Sequence, residues 1–428
     1  MTKGSRVWLV GVGLVAVLTT VAAFLIYSNA VPAPMRVSEP ISSVPAVDTD
    51  AFRHLHSIVL GSAATPGNRI DILENGEEIY AAKLKAIEQA TQSITFETFE
   101  FWGEGVANDF AEALSNAARR GVAVHAIFDY VGSMQASRET FRQLEDAGVE
   151  VVRWRQPSWY QLSRFNHRTH RKLLIVDGTI GFSGGANVAD PWQGSPETGG
   201  YRDNHYRFEG PVVAHLQHSF MINWLDARNQ LLYSTKYLPE LEERGELGAK
   251  VVDSSPRQGS QRIRLALLLA MAGSRDSIRL ATPYFYPDEM IMDALIDARD
   301  RGVSVDLLLP AEGHYSTLVR EASMNRWGRL LEAGVNIHEY QPSKYHAKLY
   351  IIDDYWVSIG SSNLDNRSFR LNDETNVIFM DRDLAATLTA QYERDLEQTK
   401  TYDLEIWNKR PLSRRLLGRL AMSIGWHL

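Results

Sequence analysis

The sequence predicts an α/β fold of two similar lobes, each a mixed β-sheet flanked by helices, sharing one active-site cleft and preceded by one N-terminal transmembrane helix. Three observations predict it: a short motif that occurs twice, a repeated order of strand-like and helix-like segments around each copy, and a long uncharged apolar stretch near the N-terminus.

The motif is His-x-Lys-x-x-x-x-Asp. One copy runs from His170 through Lys172 to Asp177, the other from His346 through Lys348 to Asp353. A small-residue turn and an asparagine follow at the same offset, Gly184-Gly185-Ala186-Asn187 and Gly360-Ser361-Ser362-Asn363. The similarity extends upstream, as expected of an internal repeat. Ile94–Phe99 matches Ile278–Pro283. Helix-period segments then end at Arg120-Gly121-Val122 and Arg301-Gly302-Val303, where glycine suits a helix C-cap. Apolar strands follow at Val122–Phe128 and Val303–Leu309, and second helices end at Ala147-Gly148-Val149 and Ala333-Gly334-Val335. Alternating strands and helices form layered α/β folds, and landmarks in one order in both halves mark a duplication.

Composition bounds the rest. A chain of 428 residues exceeds one ordinary core, and 44% hydrophobic with 23% charged residues is globular. The net charge of -7 offers no general attraction to polyanions, which makes nucleic acid an unlikely partner. With no cysteine, disulfides, cysteine-bound zinc and a thiol nucleophile are excluded.

Val7–Tyr27 carries no charge and, at ~1.5 Å per residue, covers the roughly 30 Å of a bilayer core. It exceeds an ordinary signal-peptide apolar region, although Ser28-Asn29-Ala30 also fits a cleavage site. Lys3 and Arg6 before it keep the N-terminus cytoplasmic and export the rest. The expected division is a membrane anchor at 1–30, a proline-rich extended linker at 31–66, a first lobe at 67–235, an inter-lobe linker at 236–260, a second lobe at 261–402 and a basic amphipathic tail at 403–428.

The motif residues suit phosphate chemistry. On a strand, positions two apart share a face, so His170 points with Lys172 and His346 with Lys348. Asp177 and Asp353 lie an odd number of positions further, which makes them structural anchors at the strand end. Lysine supplies a point charge for phosphate oxygens, Asn187 and Asn363 supply amide donors, and small turns let the backbone approach. Of two histidines, one attacks phosphorus and the other moves the proton. No metal or cofactor is required, because lysines and amides already oppose the phosphate charge. A zinc site needs more clustered ligands, and a lysine beside each histidine repels a cation.

These residues match twice the signature of the phospholipase D superfamily, which the chain resembles from about Ile70 to Lys400. The resemblance implies that two lobes each donate one motif to a shared cleft. It implies His170 as nucleophile and His346 as acid/base, with Lys172, Lys348, Asn187 and Asn363 holding phosphate. It also implies histidine-orienting carboxylates downstream: Glu374 for His346 and Asp203 for His170. Swapped histidine roles fit the same pattern.

Lipid is the favoured substrate on three features: the apolar span, the tail from Lys409 to Leu428 with its arginines among leucines and Trp426, and the aromatic-cationic run Arg153–Tyr160. The tail also fits a helix docked on its own protein, although its basic amphipathic pattern favours membrane contact, and the run also fits base stacking. The layout resembles bacterial cardiolipin synthases. That resemblance implies a phosphatidyltransferase acting on phosphatidylglycerol and another phospholipid, while the one apolar span and its basic N-terminal flank make the protein single-pass in a bacterial inner membrane with a periplasmic catalytic body. A tethered phospholipase D, a nuclease and a non-catalytic lipid-binding protein are the alternatives. Oligomeric state is not readable from the sequence.

Overall fold

The computed structural model describes residues 3–30, 37, 39, 41–157, 166–255, 260–314 and 317–422. Helix α1 (Lys3–Ala30) opens the chain, with its described side chains, 11–24, exposed. Among the described residues no helix is long and apolar enough to cross a membrane. Both ends of the Val7–Tyr27 stretch lie outside the described side chains.

After α2 (Asp50–Leu60), the first lobe runs β1 (Thr65–Glu74), α3 (Asn75–Gln89), β2 (Ser93–Thr98), β3 (Phe101–Trp102), α4 (Val106–Arg119), β4 (Ala123–Asp129), α5 (Arg138–Asp146), β5 (Glu150–Trp154), β6 (Leu173–Val176), β7 (Ile180–Gly184), β8 (Val188–Ala189), β9 (Asn204–Glu209) and α6 (Val212–Arg228). The second lobe repeats the order: β10 (Leu247–Ser254), α7 (Arg262–Gly273), β11 (Ser277–Ala281), β12 (Phe285–Tyr286), α8 (Glu289–Asp300), β13 (Ser304–Pro310), α9 (Thr317–Glu332), β14 (Asn336–Tyr340), β15 (Leu349–Ile352), β16 (Trp356–Gly360), β17 (Leu364–Asp365), α10 (Asn366–Arg370), β18 (Glu374–Met380) and α11 (Arg382–Leu396). An edge strand β19 (Thr399–Tyr402), α12 (Leu404–Asn408) and α13 (Leu412–Met422) close the described chain.

Fifteen strands form one sheet, ordered β19-β14-β13-β11-β15-β16-β18-β10-β1-β9-β7-β6-β2-β4-β5. Antiparallel pairing of β1 with β10 joins the lobes at its centre. From that pair outward the two halves have equivalent strands, so each lobe's inner edge is satisfied by the other's backbone groups. The small pairs β3–β8 and β12–β17 are a second duplicated feature.

Side-chain alternation divides the core. Leu173, Ile175, Leu349 and Ile351 face the layer of α6 and α11, in one apolar cluster that spans both lobes. Leu174 and Val176 face a cluster with α3 and α4, whereas Tyr350 and Ile352 face one with α7, α8 and α9. These strands are buried on both faces, which is why they are apolar runs without polar alternation.

Two stretches expected as linkers carry regular structure. Within the 31–66 linker, α2 is folded against the second lobe: Phe52, His56 and Leu60 are buried beside Leu267 and Trp356. Those residues recur every fourth position, Thr49 Oγ1 accepts the Phe52 amide at 3.2 Å, and Gly61 closes the helix in the left-handed conformation at φ 71°. An amphipathic helix thus follows directly on the proline-rich run. Likewise, the 236–260 linker contains β10, a central strand. Its two extra backbone ladders, to β1 and β18, outweigh its weak apolar pattern.

The tail docks on α9, the alternative left open above. Trp407 Nε1 donates to the Met324 carbonyl at 2.7 Å, and Arg414 pairs with Glu321 at 2.8 Å and Glu312 at 2.9 Å. At Gly418 an added Cβ would lie 2.5 Å from the Glu321 carbonyl, so glycine permits the close helix crossing. Yet Leu412, Leu416 and Leu420 remain 79%, 57% and 63% exposed, a stripe on the other side of α13. Trp426 lies outside the described residues.

Candidate active site

The two motif histidines sit just ahead of β6 and β15, in extended segments that cross to the other lobe. The His170 amide donates to the Asp373 carbonyl at 2.9 Å, and the His346 amide to the Arg202 carbonyl at 2.7 Å. Thr169 and Asp373, and Arg202 and Tyr345, form the matching single-bridge contacts. Because Asp373 and Arg202 immediately precede Glu374 and Asp203, these bridges bring each carboxylate to the opposite lobe's histidine.

That arrangement corrects the expected pairing. Glu374 serves His170, with both carboxylate oxygens 2.9 and 3.0 Å from Nδ1. Asp203 serves His346, with Oδ2 at 2.7 Å from Nδ1. Sequence order favoured within-lobe pairs, but the β1–β10 junction sets the halves so that the pairs cross. Each carboxylate is held by its own lobe. Glu374 accepts from Ser361 Oγ at 2.5 Å and Ser368 Oγ at 2.8 Å, while Asp203 accepts from Trp192 Nε1 and the Asn204 amide, both at 2.8 Å. Gly185 admits Asp203, since a Cβ there would lie 2.1 Å from Oδ1.

A carboxylate at Nδ1 fixes the proton on that nitrogen and leaves the Nε2 lone pair for chemistry. The lysines lie alongside. Lys172 Nζ donates to the His170 carbonyl at 2.7 Å, and Lys348 Nζ to the His346 carbonyl at 2.5 Å. Lys348 Nζ is also 2.9 Å from Nδ1 and 3.3 Å from Nε2 of His346. Asn187 Oδ1 accepts the Glu100 amide at 3.1 Å, which turns the amide nitrogen away as a donor for a ligand. Asn363, at the equivalent position in the second lobe, is 4% exposed. The halves form one electrostatic unit, in which Lys348 acts on His170 while Lys172 and His170 act on His346.

Burial dominates the titration of the site. It lowers His170 to about 4, with Glu374 opposing and Lys172 adding to the fall. It also holds His346 well below the ordinary imidazole value, aided by Lys348 and Lys344. Burial lowers Lys172 to about 8, against the pull of Glu374. Burial pushes Glu374 up, but His170 and Lys172 more than offset it and leave it ionised below the usual carboxylate value. For Asp203 burial wins over Lys348, and its pKa rises.

A pH profile follows. Protonation removes the His170 lone pair, and because its pKa is depressed the nucleophile survives down to about pH 4. Above about pH 8 Lys172 loses its charge. kcat/KM is therefore expected to be bell-shaped between these limits, since it reports the free enzyme's groups. A pH–rate profile on a soluble short-chain substrate checks this, and an acid limb centred near the ordinary histidine value of about 6.5 contradicts it.

The motif aspartates stand apart from the chemistry. Asp177 accepts the Gln92 and Ser93 amides at 2.7 and 2.9 Å and Thr91 Oγ1 at 2.8 Å. Asp353 accepts the Arg275, Asp276 and Ser277 amides at 2.8, 2.8 and 2.9 Å. Both have left-handed backbones, φ 52° and 53°, and tie the turn after the motif strand to the strand beside it. In the Arg153–Tyr160 run, Arg153 lies 4.0 Å from the Phe141 ring centre and Arg155 pairs with Asp226 at 3.5 Å, so both arginines are engaged within the protein. Ser158–Tyr160 lie outside the described residues.

Sequence reasoning missed Trp192, Ser361 and Ser368, which position the carboxylates. Ser361 lies in the Gly360–Asn363 turn already marked by its small residues, whereas nothing local distinguishes Trp192 or Ser368. Among the described residues no group of three or more histidine, aspartate or glutamate side chains could hold a metal ion.

Comparison with known proteins gives the family. The family model described as "Cardiolipin synthase, PLD-like domain" matches residues 84–192 and 267–396. Cardiolipin synthase 1 of Staphylococcus epidermidis is 34% identical over 365 residues, covering 84% of this chain and 74% of that protein. The major cardiolipin synthase of Bacillus subtilis is 31% identical over 352 residues, covering 81% and 73%. The fold is similar to that of a phosphatidylserine synthase of Haemophilus influenzae, with TM-score 0.67 at 13% identity, over 88% of this chain and all of that one (100%). With both motifs complete and the match spanning both lobes, the chain belongs to the cardiolipin synthase family of phospholipase D-like proteins.

Proposed function

We propose that this phosphatidyltransferase makes cardiolipin from phosphatidylglycerol and a second phospholipid, through a phosphohistidine on His170. The observation that carries the mechanism is the reciprocal His–carboxylate pairing, which prepares two Nε2 lone pairs in one lysine-lined site. His170 Nε2 attacks the donor's phosphorus, and the bond to the head-group oxygen breaks as His346 supplies a proton to the departing alcohol. His346 then takes the proton of the acceptor's primary hydroxyl, whose oxygen attacks phosphorus and breaks the P–N bond to His170. Lys172, Lys348, Asn187 and Asn363 oppose the charge on the phosphate oxygens in both steps.

Both histidines are held neutral before substrate binds, which suits the nucleophile. The acid role needs His346 protonated, and the negative phosphate entering beside it favours that form.

For placement, α1 would anchor the protein in a bacterial inner membrane with the N-terminus cytoplasmic and the catalytic body periplasmic. The exposed Leu412, Leu416 and Leu420, flanked by Arg415 and Arg419, support contact of α13 with an anionic lipid surface.

The test incubates purified protein with labelled phosphatidylglycerol vesicles and resolves the products. Cardiolipin with released glycerol is the expected result. Phosphatidic acid alone overturns transfer in favour of hydrolysis, and cleavage of DNA or RNA without lipid turnover replaces both with a nuclease.

A further inference from the structure

The catalytic groups obey the two-fold relation between the lobes, but their neighbours do not. Thr98 and Thr282 are equivalent, each bonding a carbonyl two residues on, at 3.1 and 3.0 Å, so Glu100 corresponds to Tyr284. Counting back two from each motif histidine places Arg168 opposite Lys344. Counting back two from each carboxylate places Asn372 opposite Tyr201. Trp192 and Ser368 lie five residues after the two asparagines.

On the His346 side these differences gather. Lys344 Nζ donates to the Tyr284 hydroxyl at 3.0 Å and lies 5.2 and 5.0 Å from the Tyr201 and Tyr284 ring centres. Tyr201 stacks on the His346 imidazole, with centres 6.3 Å apart at 27°, and Trp192 meets the same ring edge-on at 4.9 Å. Glu100, tied to Trp102 Nε1 at 2.8 Å, acts on Lys344 electrostatically without reaching ion-pair distance. Tyr201, Tyr284, Glu100 and Lys344 are all half-buried, so the cluster is partly exposed at the surface. On the His170 side, Arg168 is buried and has Asp129 at 3.9 Å. Lys344 has no such partner: among the described residues no carboxylate lies within ion-pair distance of it.

A half-buried ammonium that meets a phenol hydroxyl and ring faces, with no carboxylate at ion-pair distance, has given up hydration without gaining a paired anion. The reaction brings one. In-line displacement places the leaving oxygen and the incoming oxygen in turn opposite His170, on the His346 side. With phosphatidylglycerol as donor, the leaving alcohol is neutral glycerol and the competing acceptor is neutral water. The productive acceptor alone carries a second phosphate, three carbons beyond its reacting hydroxyl.

We propose that Lys344, cradled by Tyr201 and Tyr284, binds the phosphate of the acceptor phospholipid and thereby selects transfer to a lipid over transfer to water or glycerol. The inference rests on the transferase reading above. Burial opposes the charge on Lys344, but the two tyrosines and Glu100 outweigh it and raise its pKa, so it stays a cation across the working range.

The test separates the half-reactions. Incorporation of labelled glycerol into phosphatidylglycerol reads formation and reversal of the phosphatidyl-enzyme, with no lipid acceptor involved. Cardiolipin formation reads the second phosphate. In Lys344→Gln the ratio of cardiolipin formation to glycerol exchange should fall at least about tenfold, the scale of one charge-assisted hydrogen bond, while phosphatidic acid rises. Lys344→Arg should restore most of the ratio. An unchanged ratio in Lys344→Gln overturns the assignment, whether both rates fall together or neither does. If that variant is inactive in both assays, Tyr284→Phe, which removes only the hydroxyl holding the ammonium, must lower the same ratio or the assignment falls. Wild-type protein that yields phosphatidic acid but neither exchange nor cardiolipin overturns the transferase reading itself, and that result is distinct from wild-type activity with an unchanged variant ratio.

Discussion

His170→Ala is expected to abolish lipid turnover, by at least about 10⁴-fold, because it removes the atom that forms the covalent intermediate. The imidazole has no substitute nearby: Lys172 carries a charge and not a lone pair over most of the working range, and His346 is committed to the proton. His346→Ala should also lose turnover with a natural donor, but for a different reason, since the departing alkoxide is no longer protonated. The two cases separate with a donor whose leaving group needs no proton, such as a phosphatidyl p-nitrophenol. His346→Ala should then release one equivalent of nitrophenol and retain a phosphohistidine, detectable by mass spectrometry on the His170 peptide. His170→Ala should show neither. Trapping on His346 instead would exchange the two roles, and full activity of His170→Ala would end the covalent mechanism.

Glu374→Gln carries the second-largest expected effect, a loss of about 10²–10⁴-fold in kcat. The amide is nearly isosteric with the carboxylate it replaces. Its oxygen can still accept from Ser361 or Ser368, but an NH2 group turned toward Nδ1 favours the other tautomer, with the proton on Nε2 and no lone pair facing phosphorus. Because Glu374 crosses to His170, the activated donor should show a lost or slowed nitrophenol burst in this variant. Asp203→Asn crosses to His346 and should keep the burst while losing turnover of the natural donor. Bursts affected in the opposite order would restore within-lobe pairing. A melting temperature within a few degrees of wild type in both variants shows that the effect is positional, since only one oxygen acceptor is exchanged in each.

Much of the site was legible in the chain. His170, Lys172 and Asn187 recur as His346, Lys348 and Asn363 with identical spacing, and that spacing reflects one strand–turn unit used twice. The aspartates followed from strand parity, and Asp177 and Asp353 do brace the strand ends. Helix α2 was harder to see: its three buried contacts form one short stripe beside a proline-rich run, and its partner surface, around Leu267 and Trp356, lies some two hundred residues or more away in sequence. Strand β10 was hidden because a central strand can be specified by ladders on both edges as well as by an apolar pattern. The tail's composition fitted a membrane face and a protein face alike. Gly418 and Ala421 decided for the protein on one side of α13, and the leucines remain exposed on the other.

The sequence by itself determined the duplicated α/β lobe and the chemical groups of each half-site, because strand and helix periodicity and motif spacing are local properties of the chain. Only the tertiary structure decided which carboxylate serves which histidine, and that Lys344, Tyr201 and Tyr284 converge beside His346. Those relations depend on the antiparallel junction of β1 and β10. That junction sets one lobe against the other, and no spacing within either lobe encodes it.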